Sequence, residues 1–140
     1  MGYPNLGKVK TIVLPVPKSQ MTRKEYFDAY GIDLASIIKE FKYTKSEGNI
    51  YLDLILNVDI TKTLFLLSYE PTPTTTNNGL YPVHGINHNQ GWYNSGEWES
   101  DPTLYLDVNS SDIRVIIGIP RANRLNATLD DLCISKTNIA

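Results

Sequence analysis

Cysteine is nearly absent. Cys133 is the single one in 140 residues, which excludes an intrachain disulfide and a thiolate metal cluster. Set between Leu132 and Ile134, it reads as a small buried hydrophobe rather than a reactive thiol. Long apolar runs are missing too. No segment approaches the roughly 18 residues that cross a bilayer as a helix, so membrane insertion is not expected. In the opening stretch MGYPNLGKVKTIVLPVP, the apolar part from Thr11 to Val16 is too short for a signal peptide, and prolines at 4, 15 and 17 interrupt it. There is no lipobox. As written, the sequence describes a chain made and kept in solution, unless a leader was removed from it.

A basic excess is also lacking. Lys and Arg number 13 against 15 Asp and Glu, for a net charge of −2, and they are scattered. A nucleic-acid surface needs a basic stripe to neutralise phosphates, so no such partner is expected. Lys18, Arg23, Lys24 and Lys39 read instead as the solvated face of a helix. No phosphate-binding loop, dinucleotide fingerprint or G-x-S-x-G elbow occurs, and no cofactor or enzymatic activity is expected. What remains is ordinary for a globular protein: 41% hydrophobic and 20% charged residues, which separates the chain from disordered sequences. Its length suits one domain with a continuous core.

Residues 1–17 read as an extended arm preceding a domain over 18–140. Prolines fix φ and remove donors, while Val9, Ile12, Val13 and Leu14 favour a short strand. The arm is either an edge strand of this domain or lies on a neighbouring subunit, and its deletion is expected to abolish assembly while leaving the domain folded. Thr22-Arg23-Lys24-Glu25 is a capping-box pattern, followed by Tyr26, Phe27 and Tyr30 at near-helical spacing and by Gly31 as a stop. Asp33 is expected to cap a second short helix with Leu34, Ile37, Ile38 and Phe41 on one side.

Beyond residue 50 the apolar period falls to two. Leu52, Leu54, Leu56, Val58 and Ile60 share one face, with Tyr51, Asp53, Asn57 and Asp59 on the wet one. A turn at Asp59 to Lys62 leads to an evenly apolar, central strand over Thr63 to Tyr69. Further strands are expected over Thr103 to Val108, Asp112 to Ile119 and Asp131 to Ile139. Strands joined without intervening helices favour antiparallel pairing. The expected fold is mainly β, a β-sandwich or curved antiparallel sheet, with one or two short N-terminal helices.

Between Tyr69 and Asp101 lie about thirty residues with few strand signals, a length that in a compact domain is commonly functional or built from short strands. Four of the nine glycines fall there, and GINHNQGWYNSGEWES concentrates the aromatic residues. Indole and phenol rings can stack on the C–H side of a sugar, and amides can pair with its hydroxyls. The same residues anchor protein interfaces. Tyr81, Trp92, Tyr93, Asn94 and Trp98 are therefore the candidate ligand- or partner-binding residues, against the plainer possibility that Trp92 and Trp98 only cap the end of a sandwich. His84 and His88 are spaced like ligands on a helix, but Gly85, Asn87 and Pro82 oppose one, so no metal site is expected. Glu97, Glu99 and Asp101 are the only candidate paired carboxylates, and loop spacing alone does not place them for chemistry.

The helix signal GIDLASII, Gly91-Trp92-Tyr93-Asn94, the strand LYLDV and Ile117-Gly118-Ile119-Pro120 together resemble small β-rich domains of unassigned function on glycan-handling proteins of gut Bacteroidetes. The likeness covers residues 20–139. It departs from that family in the long 70–90 insertion and in lacking a secretion signal, and it implies a surface setting near glycans. By type, a signal-less β-domain with a proline-rich arm also resembles phage virion accessory proteins, which assemble where they are made. That resemblance implies a non-enzymatic structural protein of a head or tail, located in the virion or in the cytoplasm before assembly. Its partners would be other protein subunits, met through the arm by strand addition. A carbohydrate-binding module using the loop aromatics is the alternative.

Overall fold

The computed structural model describes residues 10–68, 80–94, 97–98, 102–108, 113–119 and 128–138. Val9, Glu99 and Asp101 lie outside them. Among the described residues the chain is mainly β, with one α-helix. The strands are β1 (Lys10–Pro15), β2 (Met21–Thr22), β3 (Ile38–Ser46), β4 (Asn49–Leu56), β5 (Thr63–Ser68), β6 (Leu80–His88), β7 (Gly91–Asn94), β8 (Glu97–Trp98), β9 (Thr103–Val108), β10 (Ile113–Gly118) and β11 (Cys133–Asn138). Seven form one sheet in the order β1-β5-β6-β9-β10-β11-β2; the other four run β3-β4-β7-β8. Both feed one core, in which Ile38 and Leu54 of the smaller sheet join Leu14, Phe65, Leu67, Leu104, Leu106, Val115, Ile117 and Ile134 of the larger. The alternation of β9 and β10 places Leu104, Leu106, Val115 and Ile117 inside, as their spacing predicts.

The helix α1 spans Arg23–Tyr30 and is bounded as its sequence dictates. The Glu25 N–H donates to Thr22 Oγ1 at 3.1 Å, and the Thr22 N–H donates to Glu25 Oε1 at 2.9 Å. Gly31 closes it at φ 73°, its N–H donating to the Phe27 carbonyl. Only Tyr26 is buried; Phe27 and Tyr30 are exposed.

The second helix does not form. Asp33 does cap Ala35 N–H at 3.1 Å, but the helix stops after a single 3₁₀ turn, Leu34–Ser36, and Ile38 opens β3. Leu34, Ile37 and Ile38 are buried in the core either way. The β-branched pair Ile37-Ile38 and the long pairing of β3 with β4 decide for the strand. Lys39 consequently lies on β3 rather than on a helical face with Arg23 and Lys24.

Pairing is not uniformly antiparallel. β1 runs parallel to β5, with Ile12 opposite Phe65 and Leu14 opposite Leu67. The crossover that a parallel pair needs is supplied here by α1 and the β3–β4 hairpin. Of the two places open to residues 10–15, they occupy an edge of this domain's own sheet. Leu14 is fully buried and Val16 nearly so, so this strand contributes to the core.

Most of the described part of the segment before Asp101 is also strand. Nine-residue β6 lies in the middle of the larger sheet, between β5 and β9. Pro82 and Gly85, which mark turns in a sequence reading, flank an irregularity between Val83 and Gly85. His84 is the extra residue there.

Candidate functional site

The hydrogen-bond directions of β1 define one candidate surface. The Lys10 N–H donates to the Lys62 carbonyl and the Val16 N–H to that of Ser68. In a parallel ladder alternate residues bond the same neighbour, so Lys10, Ile12, Leu14 and Val16 face β5, and Thr11, Val13, Pro15 and Pro17 face outward. Along that outer edge the prolines have no N–H to offer. The Pro15 carbonyl is already taken, accepting from the Tyr26 hydroxyl at 2.6 Å. Among the described residues of this edge, only the N–H and C=O groups of Thr11 and Val13 are open, and Val13 is 41% exposed. Among the described residues the edge is closed at its Pro15 end and accessible from Thr11 to Val13.

Tyr26 makes that closure firm. Its ring is fully buried beside Tyr30, with centroids 4.9 Å apart, and burial pushes its phenol up so that the proton stays for donation. The helix that carries it is itself fixed. Arg23 grips Asp33 through two bonds, Nε to Oδ1 at 2.7 Å and Nη2 to Oδ2 at 3.0 Å, and reaches Asp130 at 3.1 Å. The Arg23 guanidinium holds the Asp33 carboxyl below its usual range. Tyr26→Phe is expected to cost about 1–2 kcal/mol in denaturant unfolding, because it strands a carbonyl while keeping the ring. A cost near zero would show that the hydroxyl does not hold the strand.

The second candidate surface is the far end of the smaller sheet. The β3–β4 hairpin turns through Glu47 and Gly48, both at positive φ (53° and 84°), the two-residue turn that suits a twisted pair. Opposite β4, Trp92 faces Tyr51, Tyr93 faces Ile50, and Gly91 faces Leu52. Farther out, Tyr93 pairs with Trp98 and Asn94 with Glu97. Trp92 shares the face of Tyr51 and Asp53, opposite the face of Leu52 and Leu54. Leu52 and Leu54 are buried, so the Tyr51–Trp92 face is the one turned from the core. Tyr81 lies apart from Trp92. It lies on β6 opposite Leu67 and packs on the core. Tyr51 was already legible as a wet-face residue, but its pairing with Trp92 was not.

Other ionisable groups are engaged structurally or stand apart. Arg114 on β10 pairs with Asp107 on β9 at 2.7 Å and lies over the Tyr105 ring at 4.6 Å. The open cleft of about 510 Å³ beside α1 is lined by Arg23, Lys24, Phe27, Asp33 and Asp130, and its guanidinium is already held by two carboxylates. His84 and His88 are exposed on β6, where four residues of extended chain separate them by about 13 Å at most. Among the described residues no group of three or more His, Cys, Asp or Glu is placed to hold a metal. Cys133 is buried, and burial raises its thiol pKa.

No family profile, curated protein or solved structure matches this chain. Its two surfaces must be read on their own chemistry.

Proposed function

We propose that this chain is a non-enzymatic structural or interaction protein, in its most specific form an accessory component of a phage head or tail, joined to protein partners through the outer edge of β1. We read its two sheets as the layers of a sandwich that presents this edge. The observation that supports the reading is the short open run at Thr11 and Val13 on an otherwise closed edge strand. Main-chain groups that lack a partner and keep an extended geometry bind another strand with little further ordering. Prolines and a capped carbonyl beside them limit indiscriminate edge-to-edge pairing. The chain is expected by mass spectrometry in purified particles, with its gene beside other structural genes. Its absence from particles contradicts the virion form.

One observation favours a second reading. Trp92 and Tyr51 are cross-strand neighbours on the solvent side of β7 and β4, with Lys42 and Asp53 paired alongside on β3 and β4. Two aromatic side chains bordered by a cation and a carboxylate suit a carbohydrate, rings against the C–H face and charged groups at the hydroxyl rim. The likeness to domains of glycan-handling proteins points the same way. On a glycan array, any bound sugar should be lost at least tenfold in both Trp92→Ala and Tyr51→Ala. Binding indifferent to both changes, or no bound glycan at all, removes this reading.

A further inference from the structure

We infer that the occupant of the β1 edge is a second copy of this chain, paired antiparallel about a two-fold axis through Ile12. This deepens the assembly reading and rests on it. The argument is one of self-complementarity. The two outward residues, Thr11 and Val13, lie symmetrically on either side of Ile12. In an antiparallel pair centred there, Thr11 of one copy exchanges both hydrogen bonds with Val13 of the other, and Val13 with Thr11. All four open N–H groups and all four open carbonyls of the two copies meet in that one register. A shift of two residues toward the prolines would set Thr11 opposite Pro15, which has no donor and whose carbonyl is held by Tyr26. The prolines thus select the register as well as shortening the edge.

Side chains agree with this arrangement. Val13, 41% exposed as a single copy, comes to lie across from Thr11, so an apolar side chain is covered. Lys10 faces Leu14 of the second copy, which keeps the two lysines apart. Ile12 meets its own counterpart at a non-hydrogen-bonded position, where Cα atoms sit about 4.5 Å apart. The contact is isologous and closes on itself, joining two seven-stranded sheets into one without leaving a further β1 edge open.

The test uses the full chain in analytical ultracentrifugation over a dilution series, with two variants. Wild type should show a reversible monomer–dimer equilibrium. Val13→Pro removes one outward donor and leaves the ladder to β5 intact; it should remain monomeric at least tenfold beyond the concentration at which wild type dimerises, with an unchanged circular dichroism spectrum. Should that variant fail to fold, Ile12→Cys decides independently. On mild oxidation it should form a covalent dimer, because its Cα separation lies within disulfide range, while Lys10→Cys should not. Wild type that stays monomeric to about 1 mM overturns the second-copy inference, as does a folded Val13→Pro that dimerises like wild type, or cross-linking by Lys10→Cys in preference to Ile12→Cys. Monomeric wild type whose Thr11 and Val13 amides become protected on particles would reject the second copy and retain the assembly reading.

Discussion

Deleting residues 1–17 unfolds the protein instead of releasing a folded, unassembled domain. The deletion removes Leu14 and Val16 from the core together with Ile12 packed against it, and it strips the ladder from one side of β5. Phe65 and Leu67, almost fully buried, lose the strand beside them. Tyr26 loses the acceptor for its buried hydroxyl. Leu14→Ala alone should cost about 2–5 kcal/mol, the range for a large-to-small change at a fully buried site. Domains of this kind hold about 5–15 kcal/mol in total, so losing the whole strand exceeds the margin. Thermal and denaturant unfolding check both variants. A cooperative transition retained by the deletion variant would show that β1 is an appendage after all.

Gly118→Ala is the second large effect, and it comes from a single methyl group. Gly118 is buried on β10 between Thr103 on β9 and Cys133 on β11. A Cβ there would sit 2.5 Å from Thr103 Cγ2 and 2.8 Å from the Pro102 carbonyl oxygen. Neighbours on both sides fix the strand, so the backbone cannot simply swing away. A destabilisation of about 2–3 kcal/mol in denaturant unfolding is expected, typical of overpacking. Thr103→Ser in the same chain should recover only part of it, since the methyl is removed and the carbonyl stays. Gly85→Ala provides the comparison. Its added Cβ would meet Asp107 only at 3.6 Å and beyond, and should change stability by no more than about 0.5 kcal/mol. Equal effects at the two glycines would refute this account of close strand packing.

These contrasts show where the sequence was legible. Local chemistry was readable: Thr22, Glu25 and Gly31 bound α1 through groups within a few residues of one another. The alternating Leu104 and Leu106 of β9 and Val115 and Ile117 of β10 declare their inward face, because a strand's period is fixed by its pleat. Non-local pairing was not readable. Nothing in KTIVLP names β5 as its parallel neighbour, and the spacing of Leu34, Ile37, Ile38 and Phe41 fits a helix as well as a turn followed by a strand. Pro82 and Gly85 concealed β6 because their usual meaning is a turn, and only the irregularity beside them reconciles them with an interior strand.

The candidate surfaces divide the same way. β propensity marks Val13 and Leu14 alike as assembly residues, yet adjacent residues of a strand point apart. Leu14 belongs to the core, and Val13 is the exposed one. Trp92, Tyr93 and Trp98 lie close together in sequence, but only the register of β7 on β4 gives Trp92 its neighbour in Tyr51. Which main-chain groups are open follows only from the hydrogen-bond direction of the ladder, and composition carries no trace of it.

Amide hydrogen exchange along β1 tests the central claim most directly. In dilute protein Ile12 and Leu14 should exchange slowly and Thr11 and Val13 rapidly. On assembly, Thr11 and Val13 should become protected as well. Assembly that leaves the Thr11 and Val13 amides exchanging as fast as before would contradict a partner strand on this edge.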